Sequence, residues 1–155
     1  MAHVAFTAGL VLFNTGYQAD RAVGEVTHVR DLGADASYRW TSGAGDVATV
    51  LASVTHESQS GSAGLTEYNL NGSYFWDKSY GATVQRFGVN APGLGSRGTR
   101  LQLDWTPYGK LPPSGGIDLN MRLGLQYTAY DKLDGLTGSA ASGANSWYLF
   151  GWFAF

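Results

Sequence analysis

His3, His28 and His56 are the residues of this chain best suited to metal or acid–base chemistry, and their spacing serves neither. No two of them form an HxxxH pair, and with no cysteine in the chain no thiolate can complete a ligand set. His28, Asp31 and the serines at 58, 60 and 62 supply the residue types of base, acid and nucleophile. No recognisable nucleophile context surrounds them, so loop polarity is the simpler account. GSAGLTEYNLNG and GLGSRG carry glycines without the strand-to-helix setting of a phosphate loop. In DKLDGLTGSAASG (131–143), Asp131 and Asp134 give two carboxylates where calcium needs more oxygens, and a flexible loop is expected there. The expectation is no catalysis, no metal and no cofactor.

The remaining charges sit in alternating stretches, and these are informative. In IDLNMRLGLQYTAY (117–130), Ile117, Leu119, Met121, Leu123, Leu125, Tyr127 and Ala129 take the odd positions. Asp118, Asn120, Arg122, Gln126, Thr128 and Tyr130 take most of the even ones. A strand turns successive side chains to opposite faces, so one face is oily and the other charged and amide-rich. Eight such segments lie at about 3–14, 28–41, 46–58, 65–77, 80–90, 97–107, 117–130 and 145–155, bounded by Gly, Ser, Asn, Asp or Pro. The fifth is the weakest, because Arg86 and Phe87 interrupt its alternation. No apolar 3.6-residue period persists, so the class is all-β.

Composition decides which face meets what. The 155 residues fit one domain, 1–155. Charged residues are only 14%, against roughly 25% in soluble domains, and glycine numbers 22. A net charge of −2 gives no case for nucleic acid. No apolar run approaches the ~20 residues of a membrane helix, a test that barrel strands evade because inward polar residues dilute them. A solvated strand face is normally rich in Lys and Glu, yet Lys78, Lys110 and Lys132 all lie outside the clear strands. The polar faces use Asn, Gln, Ser, Thr, Arg and Asp, which can satisfy one another in a confined interior. The expected lumen lining is Asp35, Arg39, Glu57, Asn69, Asn71, Arg100, Gln102, Asp104, Asp118, Asn120, Arg122 and Gln126. Arg39, Arg100 and Arg122 should pair with Asp35, Glu57, Asp104 and Asp118. The expected lipid or interface face is Trp40, Trp76, Tyr80, Leu101, Leu103, Trp105, Leu119, Leu123, Leu125, Trp147, Phe153 and Phe155.

Connection lengths and aromatic placement agree with that inside-out arrangement. Short connections at 41–45 and 77–79 alternate with longer ones, as periplasmic turns do with outer loops; PYGKLPPSGG (107–116) is the exception. Trp40, Trp76, Tyr80, Trp105, Tyr108, Phe153 and Phe155 gather at one strand end. Tyr68, Phe87, Tyr127, Tyr130 and Trp147 gather nearer the other, as interface aromatics do. The opening MAHVAFTAGLVLFN lacks a basic start and a cleavage site, as in a mature chain with an added Met1 or in a cytoplasmic protein.

The closing SWYLFGWFAF, with aromatics at alternate positions and a final Phe155, resembles the terminal strand read by the outer-membrane barrel-assembly machinery. Together with LGADASYRW, LNGSYFWDKSYGATVQRF and MRLGLQYTAY, it resembles the C-terminal part of porin-like proteobacterial outer-membrane β-barrel proteins, over roughly 28–155. That resemblance implies an antiparallel up-and-down transmembrane β-barrel in the Gram-negative outer membrane, alone or as the C-terminal portion of a larger barrel. It implies a scaffold or porin-like conduit, with membrane lipid and the assembly machinery as partners. Some relatives are encoded beside multihaem cytochromes, so a cytochrome partner is implied by resemblance alone. Two alternatives stand beside it: an eight-stranded outer-membrane lipid-modifying enzyme, and a soluble ligand-binding β-barrel.

Overall fold

The computed structural model describes residues 1–18, 24, 26–108 and 120–154. The chain forms one antiparallel meander, with 74% of the described residues in strands and almost no helix. Its elements are β1 (His3–Tyr17), β2 (Thr27–Thr41), β3 (Val47–Gln59), β4 (Leu65–Trp76), β5 (Tyr80–Asn90) and β6 (Ser96–Trp105). They continue with β7 (Asn120–Leu133), β8 (Leu136–Thr137), helix α1 (Ser139–Ser142) and β9 (Ser146–Ala154). Each strand pairs with its sequence neighbour up to β8, and β9 returns to pair with β7. β1 and β9 are the two edges: the sheet is not closed.

All eight expected segments are strands, and several run longer than their alternation suggested. β1 continues to Tyr17 and β7 to Leu133. The expected flexible loop at 131–143 is instead a tight hairpin into β8, followed by α1. Asp134 (φ 49°) and Gly135 (φ 84°) both take positive φ, the geometry by which an Asp-Gly pair closes a hairpin without splaying its strands. The β4–β5 turn does the same with Asp77 and Lys78, both at φ 54°. β5 is fully regular: Arg86 and Phe87 disturb the polarity pattern but not the ladder.

The register carries the face assignment across the whole sheet. Val4 pairs with Trp40, and the same row runs through Ala48, Tyr74, Ala82, Leu103 and Leu125 to Leu149. The next row on that face is Phe6, Tyr38, Val50, Gly72, Val84, Leu101, Tyr127 and Trp147. On the opposite face one row reads Thr7, Ser37, Leu51, Asn71, Gln85, Arg100, Thr128 and Ser146. Because the side-chain period is two, a one-residue slip anywhere would exchange the faces; none occurs between β1 and β6. The β6–β7 ladder shifts once, between Arg97 and Gly98, beyond the rows just traced.

Asp104 and Thr128, both buried, lie on the polar face, whereas the most exposed strand leucines lie on the apolar face. Among the described residues no large side chain is fully buried, while Asp104 is 6% and Thr128 4% exposed. On the apolar face Leu10, Leu103 and Leu149 are 85%, 60% and 77% exposed. Glycines let aromatic rings lie against the backbone on the polar face. The Phe150 ring lies directly over Gly124, and Phe75 covers Gly81, where an added Cβ would stand 2.6 Å from the ring. Backbone approached this closely by a neighbouring ring has no room for a side chain.

Candidate functional site

The polar face holds two hydrogen-bonded clusters of side chains between β4 and β7. Asp104 accepts from Arg122 Nε at 2.9 Å and from Gln102 Nε2 at 3.0 and 3.1 Å. Its own side chain is 3% exposed, that of Arg122 45%. Gln85 donates to Asn69 Oδ1 at 2.7 Å and accepts from Arg100 at 2.9 Å. Aromatic rings take up the guanidinium faces: Arg100 lies 5.4 Å from the Phe87 ring centre and Arg122 5.8 Å from that of Phe150. A cation over an aromatic face is held by the ring quadrupole, more strongly where water is thin.

Arg39, Asp35, Glu57, Asn69, Asn71, Arg100, Gln102, Asp104, Asn120, Arg122 and Gln126 share this face by register. Asp118 lies outside the described residues. The expected ion pairing is corrected in part. Arg122 does meet Asp104, but Arg100 bonds an amide rather than a carboxylate, leaving its Nε without a partner. Arg39, Asp35 and Glu57 make no ion pair among the described residues: Arg100 and Arg122 stand across the sheet, and Arg39, opposite Thr49, is four residues along β2 from Asp35 and further still from Glu57, which lies opposite Asp31. Gln85, which the sequence did not single out, and Phe87, expected among the rim aromatics, join these clusters. Their parity with Thr83 was the available signal, obscured by Arg86.

The other face carries Trp40, Trp76, Tyr80, Leu101, Leu103, Trp105, Leu123, Leu125, Trp147 and Phe153 together. Leu119 and Phe155 lie outside the described residues. Tyr74, Trp76 and Tyr80 stack in series at 6.1 and 5.8 Å beside the β4–β5 turn. Towards the other strand ends Tyr127 meets Trp147 at 4.6 Å, and Asn145 donates to the Tyr127 hydroxyl. Phe87 and Tyr130, placed by the sequence with the rim aromatics, turn to the polar face and pack edge-to-face at 5.9 Å. Beyond the apolar rows this face becomes polar: Asn14, Arg30, His56, Asn90, Thr99 and Asp131 occupy its upper border. There Arg86 pairs with Asp131 and donates to Thr99 at 2.9 Å.

Among the described residues the histidines meet no carboxylate or nucleophile in a catalytic arrangement. His28 and Asp31, three apart on β2, point to opposite faces, so the carboxylate cannot orient the imidazole. Ser60 Oγ accepts from the His28 backbone, and His56 Nδ1 meets Thr66 Oγ1 at 2.9 Å. Among the described residues no three His, Cys, Asp or Glu converge as metal ligands. No family model, curated protein or solved structure matches the chain.

Proposed function

We propose that this chain forms a transmembrane β-barrel of the bacterial outer membrane and works there as a scaffold or porin-like conduit, without catalysis. The observation carrying this is the pair of apolar rows from β1 to β9, in which Val4, Phe6, Leu103, Trp147 and Leu149 are largely exposed, backed by a polar face on which Asp104 is buried against Arg122. Water penalises such a surface, whereas lipid solvates it. The apolar positions of β1 run from Val4 to Leu12, close to the ~9–11 residues that a tilted membrane strand needs. Aromatics at one end and a polar border at the other bound the band as interfaces do.

Hydrocarbon does not tolerate unpaired backbone, so this reading requires the edges to be covered. The strand ends supply the stagger that closure needs. Ser146, at the upper end of β9, is level with Thr7, well below Tyr17 at the upper end of β1. With strands ~4.8 Å apart, ~3.4 Å per residue and a tilt of ~35–45°, eight strands shear by about 8–11 residues. Only an even shift keeps apolar opposite apolar. A shift of about eight sets Leu149 against Leu12, and about ten sets it against Asn14. Either brings Val11 and Phe13 beside Tyr148, Phe150 and Trp152, the apolar exceptions on the polar faces of both edge strands. With eight strands the lumen is filled by its own side chains and acts as a plug; in a wider barrel the same residues line a pore.

Purification with and without detergent, followed by gel migration with and without heating, tests the reading. The expected result is detergent dependence and a compact band that shifts on boiling. Leu149→Cys paired with Leu12→Cys, or with Asn14→Cys for the longer shift, should cross-link within one chain if eight strands close, and between chains if they do not. A monodisperse, folded protein in plain buffer would end the proposal. The assembly machinery and outer-membrane lipid follow as partners from this reading, whereas a multihaem cytochrome rests on resemblance alone.

A further inference from the structure

The upper border of the apolar face has one feature that the barrel does not require. Arg97 on β6 and Lys132 on β7 are direct cross-strand partners, at the point where the β6–β7 register shifts. Like charges directly opposite each other are destabilising, and bulges recur where a side chain is re-aimed for use. Among the described residues neither cation makes an ion pair. The nearby carboxylates are engaged elsewhere: Asp131 pairs with Arg86, and Asp134 accepts from Ser96 Oγ while its backbone N–H donates to that hydroxyl.

Two hydrogen-bonding side chains converge on the same place. Gly88 is the residue opposite Arg97, and the Tyr68 ring lies across it, its hydroxyl 2.6 Å from where a Cβ would stand. Tyr68, Asn90, Ser96, Arg97 and Lys132 line a cavity of about 260 Å³. The adjoining 91–95 loop is tied to the β7–β8 turn by Gly135 N–H donating to Gly95 O at 3.1 Å. On the same face, beyond the intervening row of Leu70, Arg86, Thr99 and Ala129, small residues open a groove of about 670 Å³ lined by Val50, Gly72, Val84, Leu101, Leu125 and Trp147.

We propose that this is a lipid site: Arg97 and Lys132, with the Tyr68 hydroxyl, hold a phosphate group, and an acyl chain of the same molecule lies in the groove beneath. A phosphate removes the repulsion between the two cations and accepts their charge-assisted bonds. The groove selects a lipid over a free anion, because only a lipid fills both. The acyl part rests on the barrel reading; the anion part does not.

The test uses the whole protein in phosphatidylcholine nanodiscs containing a minor share of phosphatidic acid, with native mass spectrometry reading the retained phosphatidic acid. Inorganic phosphate, titrated in detergent micelles, forms a second arm read by thermal shift. Each charge-assisted bond of ~1.5–3 kcal/mol corresponds to about tenfold or more in affinity. Arg97→Gln/Lys132→Gln should therefore cut phosphatidic acid retention at least about tenfold, while Arg30→Gln, in another sector of the rim, leaves it unchanged. Gly72→Leu, which fills the groove, should weaken retention with the cations intact. Heat-modifiable migration verifies that each variant is folded. Equal retention by the double variant and the parent overturns the proposal, as does equal loss in Arg30→Gln. Stabilisation by inorganic phosphate that vanishes in the double variant, without phosphatidic acid retention, keeps the anion site and overturns the lipid. Failure of the chain to enter nanodiscs overturns the barrel reading and the acyl groove together, and the phosphate arm then decides the cation pair.

Discussion

Leu125→Arg is the substitution that most directly weighs lipid against any other covering for the apolar face. Leu125 sits mid-band on β7, between Leu103 on β6 and Leu149 on β9, and is 42% exposed. In water an arginine there would find solvent at once and cost little. At a bilayer midplane it must drag its charge to an interface, at about 2–4 kcal/mol. Ala129 occupies the same face in the cross-strand row of Thr99 and Arg86, at the polar border, where the same depth rule gives about 0–1 kcal/mol. Equilibrium unfolding of both variants from vesicles, followed by urea titration, reads the two costs. The decisive comparison is with lipid length. Longer acyl chains should raise the cost of Ala129→Arg towards that of Leu125→Arg, because the border residue is drawn into hydrocarbon. A protein core has no such dependence. Equal costs at the two positions, or costs indifferent to chain length, would refute the assignment of this face to lipid.

Two further outcomes follow from the polar face. Asp104→Ala leaves Arg122 and Gln102 without their shared acceptor and should cost about 1.5–3 kcal/mol, since hydrogen bonds to a charged group are lost. Adding Arg122→Ala should cost much less than the two single effects summed, which a double-mutant cycle measures. Gly124→Ala drives a methyl into the Phe150 ring and should destabilise by about 1–3 kcal/mol, partly relieved by Phe150→Leu. Gly72→Ala, whose Cβ would meet only Val84 at 3.9 Å, should stay within about 0.5 kcal/mol by the same denaturation assay.

The strands and the sharing of faces were legible in the residues themselves. Alternation in a strand is local, so Leu101, Leu103 and Trp105 against Arg100, Gln102 and Asp104 declare their faces without reference to anything distant. What alternation cannot show is register between strands, because sliding one strand by two residues keeps every face and changes every neighbour. For that reason Arg122–Asp104 and the Gln85 bridge between Asn69 and Arg100 came only from the folded sheet, and the expected partners of Arg39 and Asp35 did not appear. The Asp134–Gly135 hairpin was written in the sequence, but it was masked by the surrounding glycines and serines, whose composition resembles a loop.

The sequence alone determined that this chain is an antiparallel all-β protein with one greasy and one hydrophilic side per strand, since side-chain direction follows from backbone pleat. Tertiary structure alone decided which hydrophilic groups touch, that Asp104 is enclosed while Leu103 is bare, and that Arg97 and Lys132 stand opposite each other across a register shift. Those facts depend on how far each strand slides along its neighbour. That sliding is set by turns and by packing summed over the sheet, which no single stretch of residues encodes.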